Sequence, residues 1–130
     1  MSLVHGIDII EVERIESMLQ EHGDSFLQRC FTDFEQSAAN VSSDETRMQR
    51  YAGRFAAKEA VMKALGTGWG NGVTWKDISV EGDKGPPVLV LTGVALKKSL
   101  EIGISNWIIS ISHTKSHAIA SAIGTGGFNA

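Results

Sequence analysis

The chain is constrained most by one stretch, Arg50–Gly72, which reads RYAGRFAAKEAVMKALGTGWGNG. The stretch is predicted to begin as a helix, because apolar residues recur at about 100° per residue and form one buried stripe: Tyr51, Phe55, Met62 and Leu65. The helix runs directly into a loop in which glycine occupies every second position. Charged side chains and exposed backbone amides therefore meet at the helix end, and this combination is suited to binding an anion.

A second face of the same helix carries two small and two charged residues: Ala52, Ala56, Glu59 and Lys63. Glu59 and Lys63 lie one turn apart, with the acid before the base. The small alanines predict free space for a ligand beside these charges. The alternative is an ordinary exposed ion pair worth about 0.3–0.5 kcal/mol, and the helix alone does not decide between them.

The loop after the helix, Gly66–Gly72, contains four of the fourteen glycines of the chain. Gly66 by itself could serve as a helix C-cap, but four glycines indicate a tightly bent loop that turns N–H groups toward a phosphate. The loop matches neither G-x-x-x-x-G-K-S/T nor G-x-G-x-x-G. Nucleotide-binding folds built on those motifs therefore have no support.

Near the amino terminus, Leu3–Ile10 is predicted to be a buried strand. Asp8 interrupts its apolar run, and a buried carboxylate needs a partner, a metal or an exposed strand end. The alternative is that Asp8 caps the following helix, which is predicted over Glu11–Gln20. Arg14 lies on the solvent side of that helix, where it is available to a partner or simply solvated.

The rest of the chain predicts an α+β domain, because a helical first half is followed by a strand-rich second half. A capping box at Thr32–Glu35 begins another helix. The predicted strands of the second half are 78–81, 86–91, 107–113 and 117–123, with a helix over 92–102. The turn Ser112–Lys115 gathers hydroxyls, an imidazole and an amine, so it either holds a phosphate or ribose or is a plain polar hairpin turn.

Composition excludes several classes of protein. A chain of 130 residues predicts one domain, 1–130. The formal charge of −3 argues against general binding to nucleic acid or to an anionic membrane. No apolar run approaches the 18 or so residues of a membrane helix, and Cys30 is the only cysteine. No intrachain disulfide is possible, so the cytosol is the default compartment.

Three separated motifs carry a family resemblance: Gly6-Ile7-Asp8 followed by Arg14, Gly53–Ala60 with Lys63 and Gly66-Thr67-Gly68, and Ser110–His113. In order, spacing and chain length they resemble the short, trimeric type of 4'-phosphopantetheinyl transferase, the holo-acyl-carrier-protein synthases. The resemblance implies a 4'-phosphopantetheinyl transferase-like fold, with an antiparallel sheet packed on a long helix. It also implies transfer of 4'-phosphopantetheine from coenzyme A to a serine of an apo acyl carrier protein, with release of adenosine 3',5'-bisphosphate.

The resemblance assigns roles to the residues already singled out. Asp8 and Glu59 would hold Mg²⁺ against the coenzyme A pyrophosphate, because hard oxygen ligands suit that ion. Lys63 would stabilise charge on the leaving group. Either Glu59 or a water on the metal would take the proton of the serine, and the sequence leaves this choice open.

The remaining implied coenzyme A contacts fall into two groups. The group near the adenosine 3'-phosphate consists of Arg54, His113 and Thr114. The group that forms the loop over the nucleotide consists of Gly66, Thr67 and Gly68. Arg54 lies about 140° around the helix from Glu59, so one helix cannot easily aim both at a single compact site. The family's trimer, with active sites between subunits, would let the two faces serve different clefts.

Three other positions bear on the resemblance. Arg14 matches the position that meets the acidic carrier protein, and Arg29 could join it. Val4 stands where members often have a further glycine, and a difference in packing is expected there. Lys58 falls by angle within the apolar stripe, so its stem is expected to pack in a structural role while its amine reaches solvent.

Other classes of function stay open on the residues alone. The protein could be a non-catalytic module that binds coenzyme A or a related nucleotide, or a structural trimer subunit. A Mg²⁺-dependent nucleotide hydrolase is a further alternative. Asp8, Glu59 and Lys63 together favour chemistry, since a pure binder needs no metal at a scissile bond.

Overall fold

A computed structural model of the protein describes residues 2–40, 43–66, 68, 71–82 and 85–127. These residues confirm the α+β prediction. In chain order the elements are β1 (Ser2–Glu11), α1 (Val12–His22), α2 (Asp24–Cys30), α3 (Asp33–Ala39), α4 (Asp44–Leu65), a 3₁₀ turn (Trp75–Asp77), β2 (Ile78–Glu81), β3 (Val88–Leu91), α5 (Gly93–Glu101), β4 (Asn106–His113) and β5 (His117–Gly126).

The strands form two antiparallel sheets. One has the order β1-β5-β4, and the other pairs β2 with β3. β5 is central in the larger sheet because β4 and β5 form a hairpin and β1 pairs along the whole length of β5, from Ser2 opposite Gly126 to Glu11 opposite His117. The larger sheet therefore joins the amino terminus to the last hairpin.

Helix α4 packs across one face of this sheet. The predicted apolar stripe is confirmed, since Tyr51, Phe55 and Leu65 are all buried with Met62 in the core cluster. The prediction that the alanines leave space for a ligand is wrong, because Ala52 and Ala56 are fully buried. Their small size lets the helix approach its neighbours closely, and both side chains are covered by those neighbours.

The helix approaches the sheet very closely at Gly6. A Cβ atom built on Gly6 would lie 1.9 Å from the backbone oxygen of Ala60, so only glycine fits at this crossing. Side chains two residues apart on a strand point to the same side, and Asp8 therefore also faces α4. Val4 lies opposite Gly124 on β5, which leaves room for the valine side chain. This is consistent with the packing difference expected at Val4.

The most deeply buried charged pair of the described residues joins α4 to α3. The Nζ atom of Lys58 lies 2.6 Å from Oε1 of Glu35, and both side chains are fully buried. Lys58 also donates to the backbone oxygens of Cys30 and Trp75, at 2.8 and 3.1 Å. The expectation that its amine reaches solvent is wrong, because Glu35 and these carbonyls satisfy the amine inside the protein.

Glu35 is equally well satisfied by backbone groups. It accepts hydrogen bonds from the N–H of Thr32, at 2.9 Å, and from the N–H of Val80 on β2, also at 2.9 Å. The first bond belongs to the predicted capping box of α3, which is confirmed. Burial lowers the pKa of the Lys58 amine from its usual value, while Glu35 opposes that shift. The pair thus ties α4, α3, β2 and the end of α2 together.

The opposite face of the larger sheet is apolar and uncovered in the single chain. Alternate residues of its strands point away from α4 and are largely exposed: Leu3 (65%), Ile7 (52%), Ile9 (63%), Ile108 (63%) and Ile119 (38%). His5 lies among them and bonds Ser121 at 3.0 Å. Contiguous apolar surface of this kind marks an interaction site more often than it marks ordinary solvent-exposed surface.

Candidate active site

Asp8 and Lys63 form the centre of the candidate site. The Nζ atom of Lys63 lies 2.9 Å from Oδ1 of Asp8 and 3.0 Å from the backbone oxygen of Ile7. Asp8 is thus neutralised by a partner, as one of the sequence alternatives requires. The other alternative, a helix cap, is wrong, because α1 begins after Glu11 and has no side-chain cap bond.

Glu59 lies one helical turn before Lys63 on α4 and is partly exposed. Lys63 forms an ion pair with Asp8 on β1, and its pairing with Glu59 along the helix stays a prediction. Between the two α4 residues lies Ala60, whose backbone contacts Gly6. The crossing of β1 over α4 therefore brings two carboxylates and one ammonium to the same end of the helix.

The carboxylates of Asp8 and Glu59 are of the ligand type that a magnesium ion prefers. No group of three or more His, Cys, Asp and Glu side chains in the described part of the chain could form a closed metal cage. Mg²⁺ commonly binds through one or two carboxylates together with waters and the phosphates of a substrate. The cation already held by Asp8 is the Lys63 ammonium, which shows that this position favours positive charge.

The glycine loop is described only in part. Gly66 ends α4 as a left-handed C-cap with φ of 74°, and its N–H bonds the Met62 oxygen at 3.0 Å. Gly68 also has a positive φ, 65°. Thr67 and its neighbours Trp69 and Gly70 lie outside the described residues. The positive φ values agree with a tightly bent loop, and its role over a nucleotide stays a prediction.

The β4–β5 turn is a hydrogen-bonded hairpin, in which the N–H of Thr114 also bonds the His117 oxygen at 2.8 Å. The hydroxyl oxygen of Thr114 accepts bonds from the N–H groups of Ser116 (3.3 Å) and His117 (3.1 Å). His113 and Thr114 are both exposed. The turn thus has the geometry of a polar hairpin turn. It also leaves the side chains of His113 and Thr114 accessible to a ligand.

The structure does not bring every candidate residue together. His113 lies two strands from β1 and level with Ile10, whereas Asp8 is level with Ile111. Strand spacing places the two candidates on the order of 12 Å apart. Arg54 reaches toward β2, where its Nε bonds the Val80 oxygen at 3.4 Å. Within one chain the residues thus form separate groups, as the angular offset of Arg54 predicts.

Arg14 lines a cleft of about 460 Å³ at the end of β1, together with Ile9, Ile10, Glu11 and His117. It is exposed, as predicted. A second cleft of about 300 Å³ lies between α1, α2 and α4, with an apolar floor and basic groups at its edge: Met18, His22, Ser25, Phe26, Arg29, Cys30, Phe55 and Trp75. Burial raises the pKa of the Cys30 thiol, so the thiol stays protonated near neutral pH.

Sequence reasoning missed Met18 and Trp75 as cleft residues and Glu35 as the partner of Lys58. The position of Lys58 within the apolar stripe was the available signal, since a lysine there requires a buried acceptor. Nothing in the sequence identified which carboxylate would supply it.

No helix among the described residues is long and apolar enough to cross a membrane.

The fold is that of an α+β protein in which Asp8 of β1 pairs with Lys63 of α4, one helical turn after Glu59. The family profile described as the 4'-phosphopantetheinyl transferase superfamily matches residues 5–122. The chain belongs to this superfamily, and the resemblance seen in the sequence is confirmed.

Individual relatives agree with this assignment over nearly their full length. The chain is 48% identical over 125 residues to the holo-[acyl-carrier-protein] synthase of Chlamydia pneumoniae, covering 95% of this chain and 98% of the relative. It is 43% identical over 119 residues to that of Solibacter usitatus, covering 91% and 94%. A crystal structure of the Bacillus anthracis synthase in complex with CoA (3',5'-ADP) is similar, with a TM-score of 0.78 at 36% identity, covering 97% of this chain and all of the other.

Proposed function

We propose that this protein transfers the 4'-phosphopantetheine arm of coenzyme A to a serine of an apo acyl carrier protein, releasing adenosine 3',5'-bisphosphate. The family and the names of the relatives support this reaction. The observation that carries it is the pairing of Lys63 with Asp8 beside Glu59, because these residues combine metal ligands with a phosphate-stabilising cation.

In this proposal Asp8 and Glu59 hold Mg²⁺, which when bound neutralises the charge of the pyrophosphate at the phosphorus under attack. Lys63 donates to the same phosphates and stabilises the charge that grows on the leaving group. Glu59 or a nearby water takes the proton of the carrier serine. The loop with Gly66, Thr67 and Gly68 covers the nucleotide.

The separation of Arg54, His113 and Thr114 from Asp8 supports a homotrimer with active sites between subunits. His113 lies about 12 Å from Asp8 in one chain, and the two can converge when the hairpin of a neighbouring copy approaches Asp8. The uncovered apolar face of the larger sheet supports the proposal, because exposed apolar surface of this kind is commonly covered by a partner. Sedimentation equilibrium would show particles of three 14.0 kDa chains, and a monomer at micromolar concentration would contradict this arrangement.

Transfer is tested by the intact mass of an apo acyl carrier protein incubated with this protein, coenzyme A and Mg²⁺. A gain of one phosphopantetheine is expected, and it should disappear with a chelator or with Asp8→Ala. Lys63→Ala is expected to lower turnover by about 10²- to 10³-fold, as loss of a transition-state donor does. Coenzyme A binding without transfer would instead indicate a non-catalytic module.

The carrier protein is proposed to dock near Arg14. The neighbouring cleft has an apolar floor and Arg29 at its edge, which suits an acidic amphipathic helix. The charge of the whole chain is −3, so attraction to an acidic carrier has to be local. Such a contact is screened over about 8 Å at physiological ionic strength.

Arg14→Glu is therefore expected to raise the KM for carrier protein by about tenfold while the KM for coenzyme A changes less than twofold, since reversing a contact charge replaces attraction with repulsion. Steady-state kinetics with each substrate varied in turn measures both values. Lys97→Glu on α5 makes the same change of net charge far along the chain and serves as the control. Equal rises in both KM values would remove Arg14 from the carrier interface.

A further inference from the structure

The ammonium of Lys63 stands beside the carboxylate that the proposed function assigns to a metal ion. Two contacts of its Nζ atom are with β1, at 2.9 Å from Oδ1 of Asp8 and 3.0 Å from the oxygen of Ile7. These are two oxygen acceptors of the kind that coordinate Mg²⁺. In this structure the lysine thus supplies the positive charge that Asp8 needs.

The exposure of the Lys63 side chain allows its ammonium to move away from Asp8. Its side chain is 56% exposed, whereas that of Asp8 is 17% exposed. Lysine carries a compact charge on a flexible four-carbon stem, and here the ammonium is the more exposed member of the pair. Lys63 can therefore exchange Asp8 for another anion without rearrangement of α4, whose position is fixed elsewhere by the buried Lys58–Glu35 pair.

We infer that Lys63 is a built-in competitor of the divalent cation at Asp8. Before ligands bind, its ammonium neutralises Asp8; when the metal and the coenzyme A phosphates arrive, the ammonium moves from Asp8 to the phosphates. The inference rests on the proposed function. It assigns two opposite effects to Lys63: the lysine weakens metal binding, and it raises turnover. The lysine would disfavour metal binding in the absence of nucleotide and so couple metal retention to the presence of coenzyme A.

The test is a titration of the free protein with Mn²⁺, followed by the electron paramagnetic resonance signal of the unbound ion, with no coenzyme A present. Lys63→Ala is expected to bind Mn²⁺ about 3- to 10-fold more tightly than the natural protein, because it removes both the competing ion pair and a nearby positive charge. Lys63→Arg, which keeps the charge, is expected to stay near the natural affinity. Asp8→Asn is expected to abolish the site.

Lys97→Ala is the matched control, since it also removes one positive charge but lies on α5. Unchanged or weaker Mn²⁺ binding by Lys63→Ala would overturn the inference, as would an equal gain in Lys97→Ala. These outcomes would leave the proposed metal site standing. Absence of Mn²⁺ binding in the natural protein and in Lys63→Ala would overturn both the inference and the metal site.

Discussion

Replacing Lys58 with methionine is expected to destabilise the protein by about 3–5 kcal/mol, the usual cost of removing one partner from a buried ion pair. The change leaves the Glu35 carboxylate at 0% exposure without its cation. It also leaves the backbone oxygens of Cys30 and Trp75 without the donor they share. Methionine fills nearly the same volume, so the loss measures charge and hydrogen bonding rather than a cavity. Urea unfolding followed by circular dichroism measures it.

The control is the double variant Lys58→Met with Glu35→Gln. It removes both charges, and the introduced amide oxygen can still accept a bond from the N–H of Thr32 or Val80. A buried pair replaced as a whole is often tolerated, so the double variant is expected to recover at least half of the lost stability. A single variant that loses less than about 1 kcal/mol, or a double variant no more stable than the single, would contradict this account of the pair.

Gly6→Ala is the second large effect, with an expected loss of about 3 kcal/mol, the upper end of what overpacking usually costs. The added Cβ would lie 1.9 Å from the oxygen of Ala60 and 2.9 Å from the amide nitrogen of Ala64. Both atoms belong to the backbone of α4, which cannot shift as easily as a side chain can. β1 must therefore separate from the helix, and Asp8 is expected to move away from Lys63 with it.

Gly53→Ala is the matched control for Gly6→Ala. It adds the same methyl group on α4, where the nearest atom is the Cγ2 of Ile111 at 2.9 Å. That atom is the end of a side chain and can shift, and alanine favours a helix over glycine by about 1 kcal/mol. Gly53→Ala is expected to change stability by no more than about 1 kcal/mol in thermal unfolding. Similar losses for both variants would show that the crossing at Gly6 has no special requirement for glycine.

The sequence alone was sufficient for the long helix, for the approximate position of the strands and for the family, but not for α2, the 3₁₀ turn or the exposed face of β1. Helical periodicity identified the buried stripe of α4, because a helix repeats its faces every 3.6 residues whatever lies against it. The strands, the capping box and the C-cap at Gly66 also follow from local rules. The motifs around Asp8, Lys63 and His113 were enough to state the resemblance, because they consist of residue types in a fixed order.

Only the tertiary structure decided which groups meet. Lys63 lies 55 residues from Asp8 in the chain, and Val80 lies 45 residues from Glu35. Periodicity places Lys58 on the apolar face but does not say whether its amine finds solvent or a buried carboxylate. It marks Ala52 and Ala56 as small, yet whether small residues leave space or admit a close neighbour depends on the element packed against them. Local rules reach only about one helical turn, whereas the close crossing at Gly6 sets how β1 lies on α4 and thereby pairs Asp8 with Lys63.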